Sequence, residues 1–182
     1  MKKEKIFHIG FHKTATSSFE KVYEILGYKL FNRLNNQHKL KKYYKTKNIE
    51  DLSNIIEKHD AFSDNPWFWN DLYLDLDKLD YDAKFILTTR DSEKWFKSLN
   101  KKHINMNIDA RNHLYKGNRP TLENKDLFIS KYESYNVEVL KYFQNKSNFI
   151  HIDIENGLSW DSICGFLGKK IPQTSFPWLN KS

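Results

Sequence analysis

The sequence has almost no cysteine: Cys164 is the only one among 182 residues. One cysteine cannot form a disulfide within the chain, and it cannot by itself supply a zinc or iron–sulfur site. No apolar run approaches the roughly 18 residues that a transmembrane helix needs. The apolar segment before Gly10 is also too short for a secretory signal peptide. We therefore expect a cytoplasmic protein that does not contact a membrane.

The chain also lacks internal repeats and low-complexity linkers. Its 182 residues are close to the roughly 150 of an average domain, so we predict one domain over residues 1–182. The composition, 39% hydrophobic and 29% charged, is typical of a folded globular protein and excludes a mainly disordered or collagen-like one. The 13 Phe, 10 Tyr and 5 Trp predict an aromatic-rich core.

The formal net charge is +7, and lysines are densest over residues 39–47. Clustered lysines are compatible with nucleic acid, because binding to phosphates depends on such clusters. They are equally compatible with an enzyme for a phosphorylated small molecule. A third interpretation is a solvated helix face.

Short apolar runs alternate with segments of helical spacing. Strands are predicted at residues 5–9, 28–31, 60–63, 84–89 and 148–152. Helices are predicted at residues 16–26, 37–44, 50–58, 122–143 and 158–167, from Pro66 to Leu79, and after a cap at Asp91 or Ser92. This order favours an α/β fold, a single-domain three-layer sandwich around a parallel sheet of about five strands. Ligands bind at the carboxyl ends of such strands, here the loops after Ile9, Ser63 and Thr89.

The loop after the first strand is rich in groups that bind phosphate. Lys13 and four hydroxyl residues lie between positions 13 and 18, where a helix begins and free backbone N–H groups favour an anion. The loop is not a Walker A motif, which needs glycine directly before the lysine, because His12 stands there. The alternative is a capping segment rich in Ser and Thr.

A second phosphate could be held after the fourth predicted strand. Arg90 follows that strand, and Ser98 lies about two turns into the next helix. A guanidinium group matches phosphate geometry. The alternative is that Arg90 pairs with a nearby carboxylate.

Three segments, in the right order and on the right elements, resemble the sulfotransferase family. The segments are His12-Lys13-Thr14-Ala15-Thr16-Ser17-Ser18, then Arg90-Asp91-Ser92-Glu93-Lys94-Trp95-Phe96-Lys97-Ser98, then Trp160-Asp161-Ser162-Ile163-Cys164-Gly165-Phe166-Leu167-Gly168 with Phe176-Pro177. The family has a fold like that of the P-loop NTPases and uses 3′-phosphoadenosine 5′-phosphosulfate (PAPS) as the donor. The resemblance covers most of the chain and is weakest at residues 32–58 and 105–125.

The resemblance implies a role for each matching residue. Lys13 would contact the bridging oxygen of PAPS and stabilise charge on the departing 3′,5′-phosphoadenosine, and no metal would be required. The 5′-phosphosulfate would be bound by His12, Lys13, Thr14, Ala15, Thr16, Ser17 and Ser18. Arg90 and Ser98 would hold the 3′-phosphate. Ala15 replaces a glycine common in the family, so a positive φ at that position would be costly.

The family often uses a histidine or a carboxylate as the base that takes the acceptor's proton. Asp64, after the third predicted strand, is one candidate, and an N-cap for the Pro66 helix is its alternative role. His12 is the other candidate.

Several further residues have a structural or an acceptor-site interpretation. His8 is expected to be a satisfied core histidine, and the stripe Trp67, Phe68 and Trp69 to be core rather than a stacking platform. His103 and His113 are candidates for an acceptor site.

The acceptor would be a small molecule or a glycan with a hydroxyl or amine group. The motif order disfavours a nucleic-acid partner, although the charge is also compatible with a basic nucleic-acid-binding α/β protein. A strand, a Lys/Thr loop and a helix would equally suit a P-loop small-molecule or nucleoside kinase. The same motifs would also occur in a family member that no longer transfers sulfonate. The sequence does not predict an oligomeric state.

Overall fold

A parallel sheet organises the chain. The computed structural model describes residues 2–69, 71–102 and 114–179, and in these ranges it has four parallel strands in the order β2, β1, β3, β4. The strands are β1 (Glu4–His8), β2 (Ala61–Phe62), β3 (Asp82–Thr89) and β4 (Phe149–Asp153). The helices are α1 (Thr16–Ile25), α2 (Arg33–Thr46), α3 (Ser53–Lys58), α4 (Leu72–Leu76), α5 (Ser92–Lys102), α6 (Lys125–Phe143) and α7 (Trp160–Leu167).

Helices cover both faces of this sheet. Successive strand residues point to opposite faces, so each strand contributes side chains to both layers. Phe7 and Phe85 belong to the larger hydrophobic cluster, which includes residues of α2, α3, α4, α5 and α6. Ile6 and Ile86 belong to the smaller cluster, formed with residues of α1 and α7. The result is the predicted three-layer α/β sandwich with an aromatic-rich core.

The second predicted strand, residues 28–31, is reduced to one bridge. Leu30 pairs with Ala61 in parallel, and Phe31 N–H donates to Ala61 O at 2.9 Å. The chain then enters α2 at Arg33, so the pairing ends after one position. The expected five-stranded sheet is therefore a four-stranded one with a single bridge at its β2 edge in the described ranges.

The predicted helix from Pro66 to Leu79 is wrong over its first half. Trp67 N–H bonds Asp64 O and Trp69 N–H bonds Pro66 O, both turn contacts, and α4 begins only at Leu72. An α-helix separates neighbouring side chains by ~100° around its axis, which would spread three consecutive aromatic rings. The turns instead bury Trp67, Phe68 and Trp69 to 0–1% exposure, which confirms their interpretation as core residues.

The remaining helices agree better with their sequence signals. The side chain of Asp91 accepts the Lys94 N–H at 2.9 Å and caps α5 as predicted. The lysines of residues 39–45 lie on the exposed side of α2, opposite Leu40 and Tyr43, so this run is a solvated helix face. Among the described helices none is long and apolar enough to cross a membrane.

Candidate functional site

A buried polar network joins the carboxyl ends of three strands. His8 Nε2 lies 2.7 Å from Thr88 Oγ1, and His8 Nδ1 lies 3.3 Å from Ser63 Oγ. Thr88 Oγ1 also lies 2.7 Å from Thr14 Oγ1, which donates to Phe11 O. Burial lowers the pKa of His8 to about 3, so the ring is neutral. The network places the three predicted ligand-binding loops side by side and confirms His8 as a satisfied core histidine.

The loop after β1 has an unusual backbone. Lys13 has φ 71° and Ala15 has φ 67°, so both lie in the left-handed region. For an L-residue this conformation costs roughly 1–2 kcal/mol. Ala15 thus adopts the positive φ that glycine would accept at lower cost. Gly10 packs so tightly that a Cβ atom there would lie 2.2 Å from Thr88 Oγ1.

The loop after β1 leads directly into the start of α1. No side chain caps this helix and its first turn holds no acidic residue. Backbone N–H groups and the helix dipole at such an end favour an anion. Lys13 and Thr16 are partly exposed and Ser17 is exposed, so these side chains reach the surface beside the helix end.

Two of the predicted phosphate-binding hydroxyls face the protein instead. Thr14 is fully buried in the network below the loop. Ser18 Oγ accepts the backbone N–H of Leu179 at 2.9 Å. The C-terminal segment is anchored further by Trp160, whose Nε1–H donates to Thr174 O at 2.8 Å and whose ring lies 5.2 Å from that of Phe176. Thr14 and Ser18 therefore support the loop through these contacts.

Arg90 lies directly after β3, and both its backbone and its side chain contact other elements. The Tyr132 hydroxyl accepts the Arg90 N–H at 2.9 Å and donates to the Arg90 carbonyl at 3.1 Å. Tyr132 in turn stacks on Trp95 of α5, with ring centroids 4.3 Å apart. The Arg90 side chain is 11% exposed, and its Nη2 lies 3.9 Å from Glu155 Oε1. Its Nε is buried without a hydrogen-bond partner.

Ser98, the second predicted 3′-phosphate ligand, is partly exposed on α5. The helix begins two residues after Arg90, and the capping bond from Asp91 fixes its direction. Ser98 lies eight positions after Arg90 in the sequence, about two turns into α5.

Asp64 lies after β2, on the opposite side of the β1 loop from Arg90. Its φ is 63°, and no helix begins at Pro66, so its alternative role as an N-cap is wrong. Arg33 Nη2 lies 3.4 Å from Asp64 Oδ2, and both side chains are mostly buried. Burial, reinforced by the Asp64 carboxylate, raises the pKa of the nearby Glu20 on α1 to about 7. Arg33 counteracts this effect.

His12 lies in an aromatic environment. It is 8% exposed, and its ring packs near Phe68 and Trp95, with centroids 5.3 and 6.1 Å away. Its Nε2 lies 3.3 Å from the Tyr115 hydroxyl, and its carbonyl accepts the Trp95 indole N–H at 3.0 Å. The backbone of His12 thus ties the β1 loop to α5.

The structure brings the predicted loop, Arg90 and Asp64 to one edge of the sheet. Sequence reasoning missed Arg33, Glu20, Tyr132 and Glu155, whose significance depends on pairings across the fold. His103 and His113 lie outside the described residues. In the described ranges, no three His, Cys, Asp or Glu side chains form a metal-ligand group.

Comparison with known proteins indicates the family of the chain. A family model described as "Sulfotransferase domain" matches residues 5–125 and 103–182. No curated protein matches the chain. The two matched segments together include the β1 loop, the Arg90 segment, α7 and the C-terminal tail. The chain therefore belongs to the sulfotransferase domain family.

Proposed function

We propose that the protein transfers a sulfonate group from PAPS to a hydroxyl or amine of a small-molecule or glycan acceptor. The observation that carries this proposal is the pair of cationic groups at the carboxyl edge of the sheet. Lys13 lies beside the start of α1, and Arg90 follows the neighbouring strand β3. A donor with separate 5′ and 3′ phosphate groups needs two such positions.

The Arg90 environment fits a 3′-phosphate. Its guanidinium is nearly buried, its Nε has no partner, and its contact with Glu155 at 3.9 Å is too long for a hydrogen bond. Phosphate oxygens would complete its hydrogen bonds. Ser98 on α5 is the second proposed 3′-phosphate ligand. This feature favours a 3′-phosphorylated nucleotide over ATP, which has no 3′-phosphate.

The remaining roles follow the chemistry of an in-line displacement. An acceptor oxygen or nitrogen forms a bond to sulfur while the bond from sulfur to the bridging phosphate oxygen breaks. Lys13 stabilises the negative charge that appears on that oxygen. The backbone of residues 13–16 at the start of α1, with Thr16 and Ser17, binds the 5′-phosphate. The loop that binds the 5′-phosphate is shaped by His12, Thr14, Ala15 and Ser18.

We assign the role of the base that takes the acceptor's proton to Asp64 rather than to His12. Asp64 is partly exposed after β2, and Arg33 Nη2 lies 3.4 Å from its Oδ2, which keeps the carboxylate at the carboxyl edge of the sheet. His12 is 8% exposed, and its Nε2 already faces the Tyr115 hydroxyl. Glu20 adds a second carboxyl group beside Asp64.

The Arg90 assignment is tested by measuring the binding of two nucleotides that differ only in the 3′-phosphate. Arg90→Ala should weaken binding of 3′,5′-phosphoadenosine on the order of 100-fold, because it removes charge-assisted hydrogen bonds. Binding of 5′-AMP should change little. Arg119→Ala, which removes an exposed arginine, is the matched control. Equal losses for both nucleotides would contradict the assignment.

A further inference from the structure

Glu155, in the turn after β4, contacts two cationic side chains at once. Its Oε1 lies 3.9 Å from Arg90 Nη2, and its Oε2 lies 3.0 Å from Lys94 Nζ. Arg90 is the proposed 3′-phosphate ligand, and Lys94 lies in the first turn of α5. The carboxylate therefore lies beside the proposed 3′-phosphate ligand.

The turn that carries Glu155 is firmly anchored. Asp153 Oδ1 accepts the Glu155 N–H at 3.0 Å, and Asp153 O accepts the Gly157 N–H at 2.8 Å. Ile154 N–H donates to Thr89 O at 2.9 Å, which ties the turn to the residue before Arg90. These bonds hold the backbone of the turn next to the end of β3, from which the Glu155 side chain reaches Arg90.

The contact with Arg90 is incomplete in a specific way. A carboxylate paired directly with arginine has N···O distances of about 2.7–2.9 Å, whereas here the distance is 3.9 Å and Arg90 Nε is buried and unpartnered. Glu155 thus compensates the nearly buried charge through space, while Arg90 Nε keeps no hydrogen-bond partner. A phosphate bound at Arg90 would lie next to a like charge unless the carboxylate moved away.

We propose that Glu155 is an anionic placeholder that competes with the donor's 3′-phosphate for Arg90 and Lys94. It thereby lowers the affinity for 3′-phosphorylated nucleotides and speeds release of the product, 3′,5′-phosphoadenosine. This inference rests on the proposed function. When the nucleotide leaves, the Glu155 carboxylate again compensates the Arg90 charge.

The test is titration of wild type and Glu155→Gln with 3′,5′-phosphoadenosine and with 5′-AMP, together with stopped-flow dissociation rates. Glutamine keeps the size of the side chain and removes its charge. Glu155→Gln should bind 3′,5′-phosphoadenosine about 10-fold more tightly, because a competing charge near a phosphate is lost. The dissociation rate should fall by a similar factor. Affinity for 5′-AMP should not change.

Glu93→Gln is the matched control, since it removes the same charge from α5 but from a carboxylate paired with Lys125. It should leave both affinities unchanged. Unchanged or weaker binding of 3′,5′-phosphoadenosine by Glu155→Gln would overturn the proposal, and weaker binding would mean that Glu155 positions Arg90. Failure of the proposed function gives a different result, because wild type itself would then bind the two nucleotides equally. That outcome would overturn the placeholder role as well.

Discussion

Glu20→Gln should stabilise the protein at neutral and alkaline pH. Burial and the Asp64 carboxylate raise the pKa of Glu20 from an ordinary value of 4.5 to about 7, with Arg33 opposing the shift. Between these two values the folded protein retains a proton that the unfolded chain has lost. Stability from this group is therefore fully present below pH 4.5 and is lost as the pH rises through 7.

The size of the effect follows from the two pKa values of Glu20, in the unfolded and in the folded protein. The change from 4.5 to about 7 corresponds to ~3 kcal/mol, at about 1.36 kcal/mol for each factor of ten. Glutamine cannot ionise, so Glu20→Gln avoids this loss. The variant should exceed wild type in free energy of unfolding by ~3 kcal/mol at pH 8 and by less than ~1 kcal/mol at pH 5.

The assay is urea unfolding of both proteins at pH 5, 6, 7 and 8. Burial lowers the pKa of His8 to about 3, so His8 acts with the opposite sign below pH 6.5, but it is present in both proteins and cancels in the difference. Glu133→Gln is the control, because it removes an exposed glutamate from a different helix, α6. If the Glu20→Gln difference is the same at pH 5 and pH 8, the reasoning is refuted.

Three further predictions concern the loop after β1. Ala15→Gly should raise the melting temperature by about 2–4 °C, because it relieves roughly 1 kcal/mol of strain at φ 67°. The control Lys21→Gly, on the exposed side of α1, should lower the melting temperature. A decrease for Ala15→Gly would contradict the strain argument. Lys13→Ala should slow the conversion of PAPS to 3′,5′-phosphoadenosine by about 100-fold, whereas the binding of PAPS should weaken by less than about 10-fold. Unchanged turnover would remove Lys13 from the chemistry. Gly10→Ala should destabilise the fold by about 1–3 kcal/mol in urea unfolding, since its Cβ would lie 2.2 Å from Thr88 Oγ1 and 2.8 Å from Thr88 N; unchanged stability would show that β1 and β3 can separate freely.

Much of the architecture was predictable from local patterns. The apolar runs at residues 5–9 and 84–89 predicted the two central strands to within two residues at each end, because buried parallel strands are continuously hydrophobic. The lysine and hydroxyl residues before α1 predicted the loop at the carboxyl edge. These features depend on neighbouring residues alone.

The errors arose where tertiary packing decided the outcome. Proline at residue 66 predicted a helix start, but burial of three consecutive aromatic rings required turns. Residues 28–31 had the composition of a strand, yet only Leu30 found a pairing partner before α2 began. Local propensity cannot reveal either result.

The site was predictable in its ligands and not in its pairings. Lys13 and Arg90 follow from motif order, whereas the Arg33–Asp64 and Arg90–Glu155 contacts join residues 31 and 65 positions apart. The sequence offers no signal for such pairs. Tyr132 was visible only as one of several aromatic residues in the long helix α6.

The proposed function is tested most directly by calorimetric titration of the wild-type protein with 3′,5′-phosphoadenosine, ADP and ATP, each with and without Mg²⁺. It requires no knowledge of the acceptor and probes the two proposed phosphate positions directly. We expect 3′,5′-phosphoadenosine to bind in the micromolar range, more tightly than the other two nucleotides and independently of Mg²⁺. Preference for ATP with Mg²⁺ would contradict the proposed function and indicate a kinase.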